Sequence, residues 1–326
     1  MMKKLLGLLL LFLCCSVPLF PQIDPSTYEQ GLISRGDNRP DFDAKDPDIK
    51  TLIISLHLRV PPEEFQKTYS WSREKYLEQV RFLISKNYAY EKEGKFYSSC
   101  MVVPDREGRD LLHYAEPLSQ EIANAIIADL DAIKSQYEKT DLCKTTPFAK
   151  AAFLILSNGL LDNGQISNVE CDFLGKERPL RHGKNYYFAL LQNLNSSREA
   201  FGIYGNAILS KEAGVYGNNR KALSATQMQE QSEAGLVLSR NDFDIFDGMS
   251  SLFQPVLINL LKNRRGYIEE VYQKTGYSNE VTFEEFFIWW YHFVYTRATD
   301  ILAEKGHLTV PADGNCFYRL GSGSGS

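Results

Sequence analysis

The chain has 326 residues, of which 44% are hydrophobic and 24% are charged, and its formal net charge is -5. This composition is that of an ordinary globular protein, and it excludes a disordered, a fibrous and a multi-span membrane protein. A mildly acidic chain gives no reason to expect a nucleic-acid partner, because nucleic acids are usually bound by a basic face. The length suits two domains of modest size, each able to bury a core.

The N-terminus has the pattern of an export signal. Two lysines precede an apolar run over residues 5–13, which is short for a membrane span and typical of a cleaved signal. We therefore predict a signal peptide over residues 1–22. Cys14 and Cys15 follow the apolar run, and this arrangement resembles a bacterial lipoprotein signal, in which the mature chain begins at a lipidated cysteine. The resemblance implies lipidation at Cys14 or Cys15; cleavage after Ser16 without lipidation is the alternative.

The next segment combines a polar stretch with a compact helical unit. Residues 23–45 are polar and contain Pro, Gly and Asn, so we predict a linker there. In residues 46–115, helix-compatible spacing predicts three helices, the second of which starts at a Pro-Pro pair. A two-stranded hairpin that turns near Gly94 follows them. Three helices and a hairpin resemble a winged-helix module.

Winged helices bind either DNA or proteins, and the charges favour protein here. The third predicted helix carries Arg73, Lys75, Arg81 and Lys86 against Glu74 and Glu78, which is a weak basic excess. An exported chain is also separated from the chromosome. We therefore expect a protein-interaction module and no nucleic-acid partner.

Residues 116–320 are predicted to form a helical domain with a small β insertion at about 175–222. Residues 117–139 have the apolar stripe of an amphipathic helix, and residues 148–156 are apolar throughout, as in a buried segment. In the insertion, residues 188–191 and 201–209 could be strands. Glycines at 202, 205, 214 and 217 indicate turns there.

From residue 225 to the end, the sequence again favours helices. Residues 282–302 are apolar around nearly the whole helical circumference, which predicts a helix at the centre of a core. The final Gly-Ser repeat at residues 321–326 is typical of a flexible linker and is left out of the fold prediction.

The aromatic residues of the insertion are candidate binding residues, because loops rich in Gly and Asn often form binding surfaces. If the segment is exposed, it is the predicted ligand or partner face; the alternative is that the same rings pack in the core. The candidates are Tyr186, Tyr187, Phe201, Tyr204 and Tyr216.

The C-terminal run Asp313-Gly-Asn-Cys316-Phe-Tyr-Arg319 resembles the nucleophile motif of the OTU family of deubiquitinating cysteine peptidases. In that family the cysteine attacks an isopeptide carbonyl, the preceding loop helps form the oxyanion hole, and a histidine downstream activates the thiol. No histidine follows Cys316, so the resemblance implies a permuted site with Asp313 and an upstream His292 or His307. A coincidental C-terminal strand and a truncated longer protein are the alternatives.

Cofactor and metal sites are not expected. Cys100, Cys143, Cys171 and Cys316 remain after signal removal, and they permit two disulfides in three pairings or four free thiols. No closely spaced pair of Cys or His residues could provide the first two ligands of a zinc site. The sequence also contains no phosphate-binding loop and no dinucleotide-binding motif.

Together these features predict an α+β, mainly α-helical protein with a winged-helix-like N-terminal module. We expect an exported bacterial cell-envelope accessory or interaction protein without catalytic activity, in the periplasm or at the outer membrane. Its partner would be an envelope or outer-membrane protein, and a lipid anchor at Cys14 or Cys15 could tether it. The alternatives are a cysteine peptidase using Cys316 and a solute-binding lipoprotein with an aromatic-lined pocket between two domains.

Overall fold

The computed structural model describes residues 22–194, 197–220 and 223–321. The predicted signal peptide up to residue 21, the lipidation candidates Cys14 and Cys15, and the tail at 322–326 lie outside the described residues. The structure is 57% helical with 15% strand. The predicted mainly helical α+β class is therefore confirmed. Within the described part of the chain, no helix has the length and apolar character needed to cross a membrane.

The elements alternate along the chain. The helices are α1 (Pro47–His57), α2 (Pro62–Tyr69), α3 (Arg73–Ser85), α4 (Asp105–Ala128), α5 (Leu130–Tyr137), α6 (Phe148–Ala152), α7 (Gln165–Asn168), α8 (Ala225–Ala234), α9 (Arg240–Asn263), α10 (Arg265–Lys274) and α11 (Phe283–Glu304). The strands are β1 (Tyr28–Ile33), β2 (Ala89–Lys92), β3 (Lys95–Ser98), β4 (Met101–Val103), β5 (Leu180–Arg181), β6 (Lys184–Asn185), β7 (Tyr187–Gln192), β8 (Gly205–Ile208), β9 (Ala213–Gly217), β10 (Leu236–Leu238) and β11 (Asn315–Leu320).

The N-terminal unit contains the three helices and the hairpin at the positions that the sequence indicates. The Asp46 side chain caps α1 by accepting from the backbone amides of Asp48 and Ile49 at 2.8 and 3.1 Å. Ser72 caps α3 in the same way, and Gly94 takes a φ of +72° at the hairpin turn. The winged-helix resemblance of this unit stays a prediction.

A three-stranded sheet in the order β1-β7-β4 lies between two hydrophobic cores. Side chains alternate between the two faces of a strand, so neighbouring residues pack in different cores. On β7, Phe188 and Leu190 pack in the core under α1, whereas Tyr187, Ala189 and Leu191 pack in the larger core under α11. One sheet therefore joins the N-terminal unit to the rest of the molecule.

Helix α11 is the centre of the larger core, as the all-round apolar pattern predicts. It packs along α4, where the Trp290 indole donates to the Leu111 carbonyl at 3.0 Å and the Ser119 hydroxyl donates to the Val294 carbonyl at 2.8 Å. These bonds satisfy polar groups that would otherwise be costly to bury.

Two segments beside α11 are π-helical, Phe153–Asn163 and Val169–Leu174, with α7 between them. The first carries three buried polar side chains, Ser157, Asn158 and Asp162. The Ser157 hydroxyl hydrogen-bonds the hydroxyls of Tyr216 and Thr299 at 2.5 and 2.6 Å. π-Helical turns are rare and frequently occur at functional sites, so this region is a candidate functional region.

Several predicted boundaries need correction. Residues 23–45 are not a simple linker, because they contain β1, whose pairing partner β7 lies far along the chain and leaves no local signal. Gly205 begins β8, and Gly214 and Gly217 lie within β9, so these three predicted turn glycines are in strands. Close neighbours leave no room for a Cβ at Gly214 and Gly217. The division at residue 115 falls inside α4, and the region after residue 225 also contains β10 and β11.

Candidate functional site

A cleft with a volume of about 790 Å³ runs beside β1. Its walls are residues 29–35 on one side and residues 162–167 on the other. Trp289 and His292 of α11 form part of its floor. Protein sites for small molecules have volumes of roughly 300–1,000 Å³, so the cleft has the size of a ligand site.

The floor depends on a glycine. A Cβ placed on Gly31 would lie 2.5 Å from Cη2 of Trp289, so only glycine lets the indole pack against β1. The indole Nε1 is buried without a hydrogen-bond partner. A buried N–H group without a partner is uncommon in proteins, and this one belongs to a residue that lines the cleft.

His292 presents a neutral imidazole to the cleft. Its Nδ1 lies 2.7 Å from the Ile288 carbonyl oxygen. Because a carbonyl only accepts, Nδ1 carries the proton and Nε2 keeps its lone pair. Burial lowers the pKa of His292 to about 4, so the ring is uncharged at neutral pH.

One end of the cleft is acidic. The Asn206 amide donates to Asp162 Oδ2 at 3.1 Å, and Arg220 Nη1 donates to the Asn206 carbonyl at 2.8 Å. Arg220 Nε also lies 3.4 Å from Glu199 Oε1, and Glu29 accepts from the Ala200 amide at 2.9 Å. This end therefore contains the carboxyl groups of Asp162, Glu199 and Glu29 together with the Arg220 guanidinium.

Asp162 titrates near neutrality. Burial raises its pKa to about 7, against the opposing effects of the Arg220 charge and the hydrogen bonds from Asn206 and Tyr295. A carboxyl group with such a pKa can be present in either protonation state at physiological pH. Groups of this kind cluster at functional sites.

The other end of the cleft is basic. Arg178 makes a two-point contact with Glu170, Nε to Oε1 at 2.6 Å and Nη2 to Oε2 at 3.1 Å. Arg35 Nη2 also lies 3.1 Å from Glu170 Oε2. Two cations share one carboxylate there, and Nη1 of Arg178 is buried without a partner. The local charge is therefore positive, and a donor remains for an anionic group.

The predicted aromatic binding face is not present as an exposed surface. Tyr186, Tyr187, Tyr204 and Tyr216 are buried, and the Phe201 ring packs against Phe293 with centroids 5.3 Å apart. The rings fill the cores because the strands of the insertion bring them inward. Of these five residues, Tyr204 is the one that lines the cleft.

Cys316 lies in β11 and is buried. Burial, together with the negative charge of Asp313, raises the pKa of its thiol to about 12. Within the described residues, the hydrogen-bond acceptor near its Sγ is the Phe317 carbonyl, at 4.0 Å, and no hydrogen bond links it to His292 or His307. This environment opposes the thiolate that a cysteine nucleophile needs.

The residues before Cys316 have a structural role in the fold. Gly314 turns the chain with a φ of +77°. The Asn315 amide donates to the Asn219 carbonyl at 3.1 Å, and the Asn219 amide donates to the Asp313 carbonyl at the same distance. These bonds hold β11 beside β9.

Metal and disulfide chemistry has no built site in the described part of the chain. Cys100, Cys143, Cys171 and Cys316 are free thiols, so the alternative of two disulfides is wrong. No group of three or more His, Cys, Asp or Glu residues is arranged to hold a metal ion among residues 22–194, 197–220 and 223–321.

Sequence reasoning missed most of the cleft. Asp162 was not among the predicted site residues, and His292 was predicted only as part of the permuted peptidase site. The usable signal was a polar residue inside an apolar run: Asp162 follows two leucines, and His292 lies within an aromatic helix. Arg178 and Arg220 gave no local signal, because long-range packing brings them to the cleft.

Comparisons with known proteins returned no match. No family model matches the chain, and neither a curated protein nor a solved structure matches it. Function is therefore inferred from the geometry of the cleft.

Proposed function

We propose that this chain is an exported cell-envelope binding protein that holds a small polar ligand in the cleft beside β1. The observation that carries the proposal is a set of buried polar atoms without partners on residues that line the cleft: Gln30 Oε1, Arg178 Nη1 and Trp289 Nε1. Each such atom costs about 1–3 kcal/mol when it stays unpaired. A polar ligand that draws these side chains towards the cleft supplies the missing partners and removes that cost.

This proposal combines two of the functions expected from the sequence. The export signal and the candidate anchor at Cys14 or Cys15 support an envelope location with an envelope or outer-membrane partner. The cleft supports ligand binding of the solute-binding kind. The cysteine-peptidase alternative gains no support from the buried thiol of Cys316, and we do not propose it.

The test uses a matched pair of substitutions on β8. Ala207 lines the cleft, whereas the next residue, Ile208, is 85% exposed and is not part of the lining. Ala207→Trp places an indole in the cleft, and Ile208→Trp places the same group in solvent. The full chain and both variants are purified gently from a bacterial envelope and studied by native mass spectrometry.

We expect a bound small molecule with the wild type and with Ile208→Trp, and at least a tenfold lower occupancy with Ala207→Trp. Defined probes are then added to any ligand-free protein: single amino acids, monosaccharides, dicarboxylates and short peptides. If no molecule co-purifies and no probe binds, the proposal fails. A ligand that binds Ala207→Trp as well as Ile208→Trp also contradicts it.

A further inference from the structure

The free edge of β1 is available for pairing. Among the strands that the structure describes, β1 pairs with β7 on one side only, in the order β1-β7-β4. The Asn193 amide donates to the Thr27 carbonyl at 2.6 Å, so odd-numbered residues of the antiparallel strand direct their backbone groups towards β7. Gln30 and Leu32 therefore direct their N–H and C=O groups away from the sheet. The Tyr28 carbonyl agrees with this register, because it accepts from the Lys50 ammonium on that side at 2.5 Å.

The cleft follows this edge. It contacts every residue from 29 to 35, although alternate side chains of a strand point to opposite faces. From the neighbouring strand β7 it contacts Leu191 alone among the described residues. A cavity that touches consecutive residues of one strand and so little of the next runs along the strand edge. Its occupant therefore faces unpaired backbone groups.

The cleft is also polarised along β1. The acidic end, with Glu29, Glu199 and Asp162, lies where β1 begins, and the basic end, with Arg35 and Arg178, lies where it finishes. The strand is extended from residue 29 to residue 33, which spans about 13 Å, and Arg35 follows two residues beyond its end. A complementary ligand is extended, with a positive group at the first end and a negative group at the second.

We propose that the ligand is a peptide of about six residues with free termini, which adds to β1 as a parallel strand. Its backbone pairs with Gln30 and Leu32, its ammonium group lies near Asp162 and Glu199, and its carboxylate lies at Arg35 and Arg178. Main-chain pairing at a free edge is an established mode of peptide recognition. Pairing also covers an edge that is otherwise open to unwanted strand addition. This inference rests on the proposed function and names the ligand class of the same cleft.

The experiment measures binding of three random hexapeptide libraries by equilibrium dialysis and mass spectrometry. One library has free termini, one is acetylated and amidated at its ends, and one has free termini with an N-methyl group on every peptide amide, so that neither edge of the peptide can donate to β1. We expect the full chain to bind the free-terminus library at least tenfold more tightly than either modified library. The N-methyl library tests strand pairing without a protein variant.

A matched pair of variants tests the same contact from the protein side. Leu32→Pro removes the edge N–H, which β7 does not use, while Leu32→Ala keeps it. We expect Leu32→Pro to bind the free-terminus library at least tenfold more weakly than Leu32→Ala. The melting temperatures of both variants are measured first, and the N-methyl library decides the question if Leu32→Pro does not fold.

Each outcome separates the two proposals. Equal binding of the capped library overturns the role of the terminal charges, and equal binding of the N-methyl library overturns strand pairing. Binding of amino acids or monosaccharides, but not hexapeptides, overturns the peptide inference and leaves a ligand-binding cleft if Ala207→Trp blocks it. No binding of any probe, with no co-purified ligand, overturns both.

Discussion

Two buried polar regions of this molecule differ in how completely their atoms are paired. At the junction between the N-terminal unit and α4, His57 contacts Glu280 through Nδ1 at 2.7 Å and Glu107 through Nε2 at 3.2 Å. The second oxygens of these carboxylates accept from Arg59 and Tyr277. In the cleft, by contrast, Gln30, Arg178 and Trp289 each keep a buried polar atom without a partner.

The two histidines show the same contrast. Burial lowers the pKa of His57, but the hydrogen bonds and charges of Glu107 and Glu280 outweigh that effect and raise it to about 9. Burial lowers the pKa of His292 to about 4, and no carboxylate in the described part of the chain counteracts it. A fully paired network stabilises the fold, whereas an incompletely paired one leaves contacts for a ligand. Removing a titratable side chain should therefore change stability in opposite directions in the two regions.

The largest effect is expected at the junction. His57→Ala leaves Glu107 and Glu280 without their shared cation, and we expect the free energy of unfolding to fall by about 3 kcal/mol at pH 6. Urea denaturation measures it. His113→Ala, at an exposed histidine on α4, is the control and should change stability by less than about 0.5 kcal/mol. Equal midpoints for His57→Ala and the wild type would contradict the role given to the junction.

The pH dependence sharpens this prediction. The folded-state pKa of His57 is raised to about 9 from its ordinary value of 6.5, so its stabilising effect is complete below pH 6.5. That effect is lost as the pH rises through about 9. The stability difference between wild type and His57→Ala should therefore be largest near pH 6 and small near pH 10. A stability difference between wild type and His57→Ala that grows with pH would contradict the raised pKa of His57.

In the cleft, we expect a substitution at the titratable group to raise the free energy of unfolding instead of lowering it. The pKa of Asp162 is raised to about 7 from 3.8, so the folded state loses stability as the pH rises through that range. Asp162→Asn removes the buried charge and still accepts from Asn206. We expect the variant to be about 2 kcal/mol more stable than wild type at pH 8 and equal to it near pH 3.5. It should also bind ligand more weakly, as functional sites often trade stability for activity.

A smaller change in stability is expected where β1 packs against Trp289 on the floor of the cleft. Gly31→Ala places a Cβ against the Trp289 indole, and we expect a loss of about 1–2 kcal/mol from overpacking. Gly266→Ala in α10 is the control, because no atom lies within 4 Å of its Cβ and alanine favours helices. Thermal denaturation compares the pair; a stable Gly31→Ala protein would contradict the close packing.

The smallest expected effect is a change in ligand binding at the exposed part of the basic end of the cleft. The Arg35 side chain is 61% exposed and shares Glu170 with Arg178. Arg35→Met should weaken binding of the free-terminus hexapeptide library about threefold with little change in stability. Arg73→Met, at an exposed arginine on α3, is the control and should leave binding unchanged. Equal binding by the two variants would remove Arg35 from the site.

The helical framework could be predicted because its signals are local. The apolar spacing of α3, the Pro-Pro pair at the start of α2 and the all-round apolar sequence of α11 each act within a few turns of chain. Strand β1 could not be predicted, because it depends on β7 and on the fit of Gly31 to Trp289. The cleft was missed for the same reason: Asp162 and Arg178 meet β1 through tertiary packing alone.

Amide hydrogen exchange at β1 tests the central claim most directly, since it reports both the free edge and the ligand in one experiment. In the free protein, the amides of Gln30 and Leu32 should exchange quickly, while those of Gly31 and Ile33, which pair with β7, should be protected. The free-terminus hexapeptide library should slow Gln30 and Leu32 at least tenfold and leave Gly31 and Ile33 unchanged. Ligand binding in the cleft without any slowing at Gln30 and Leu32 would contradict the account.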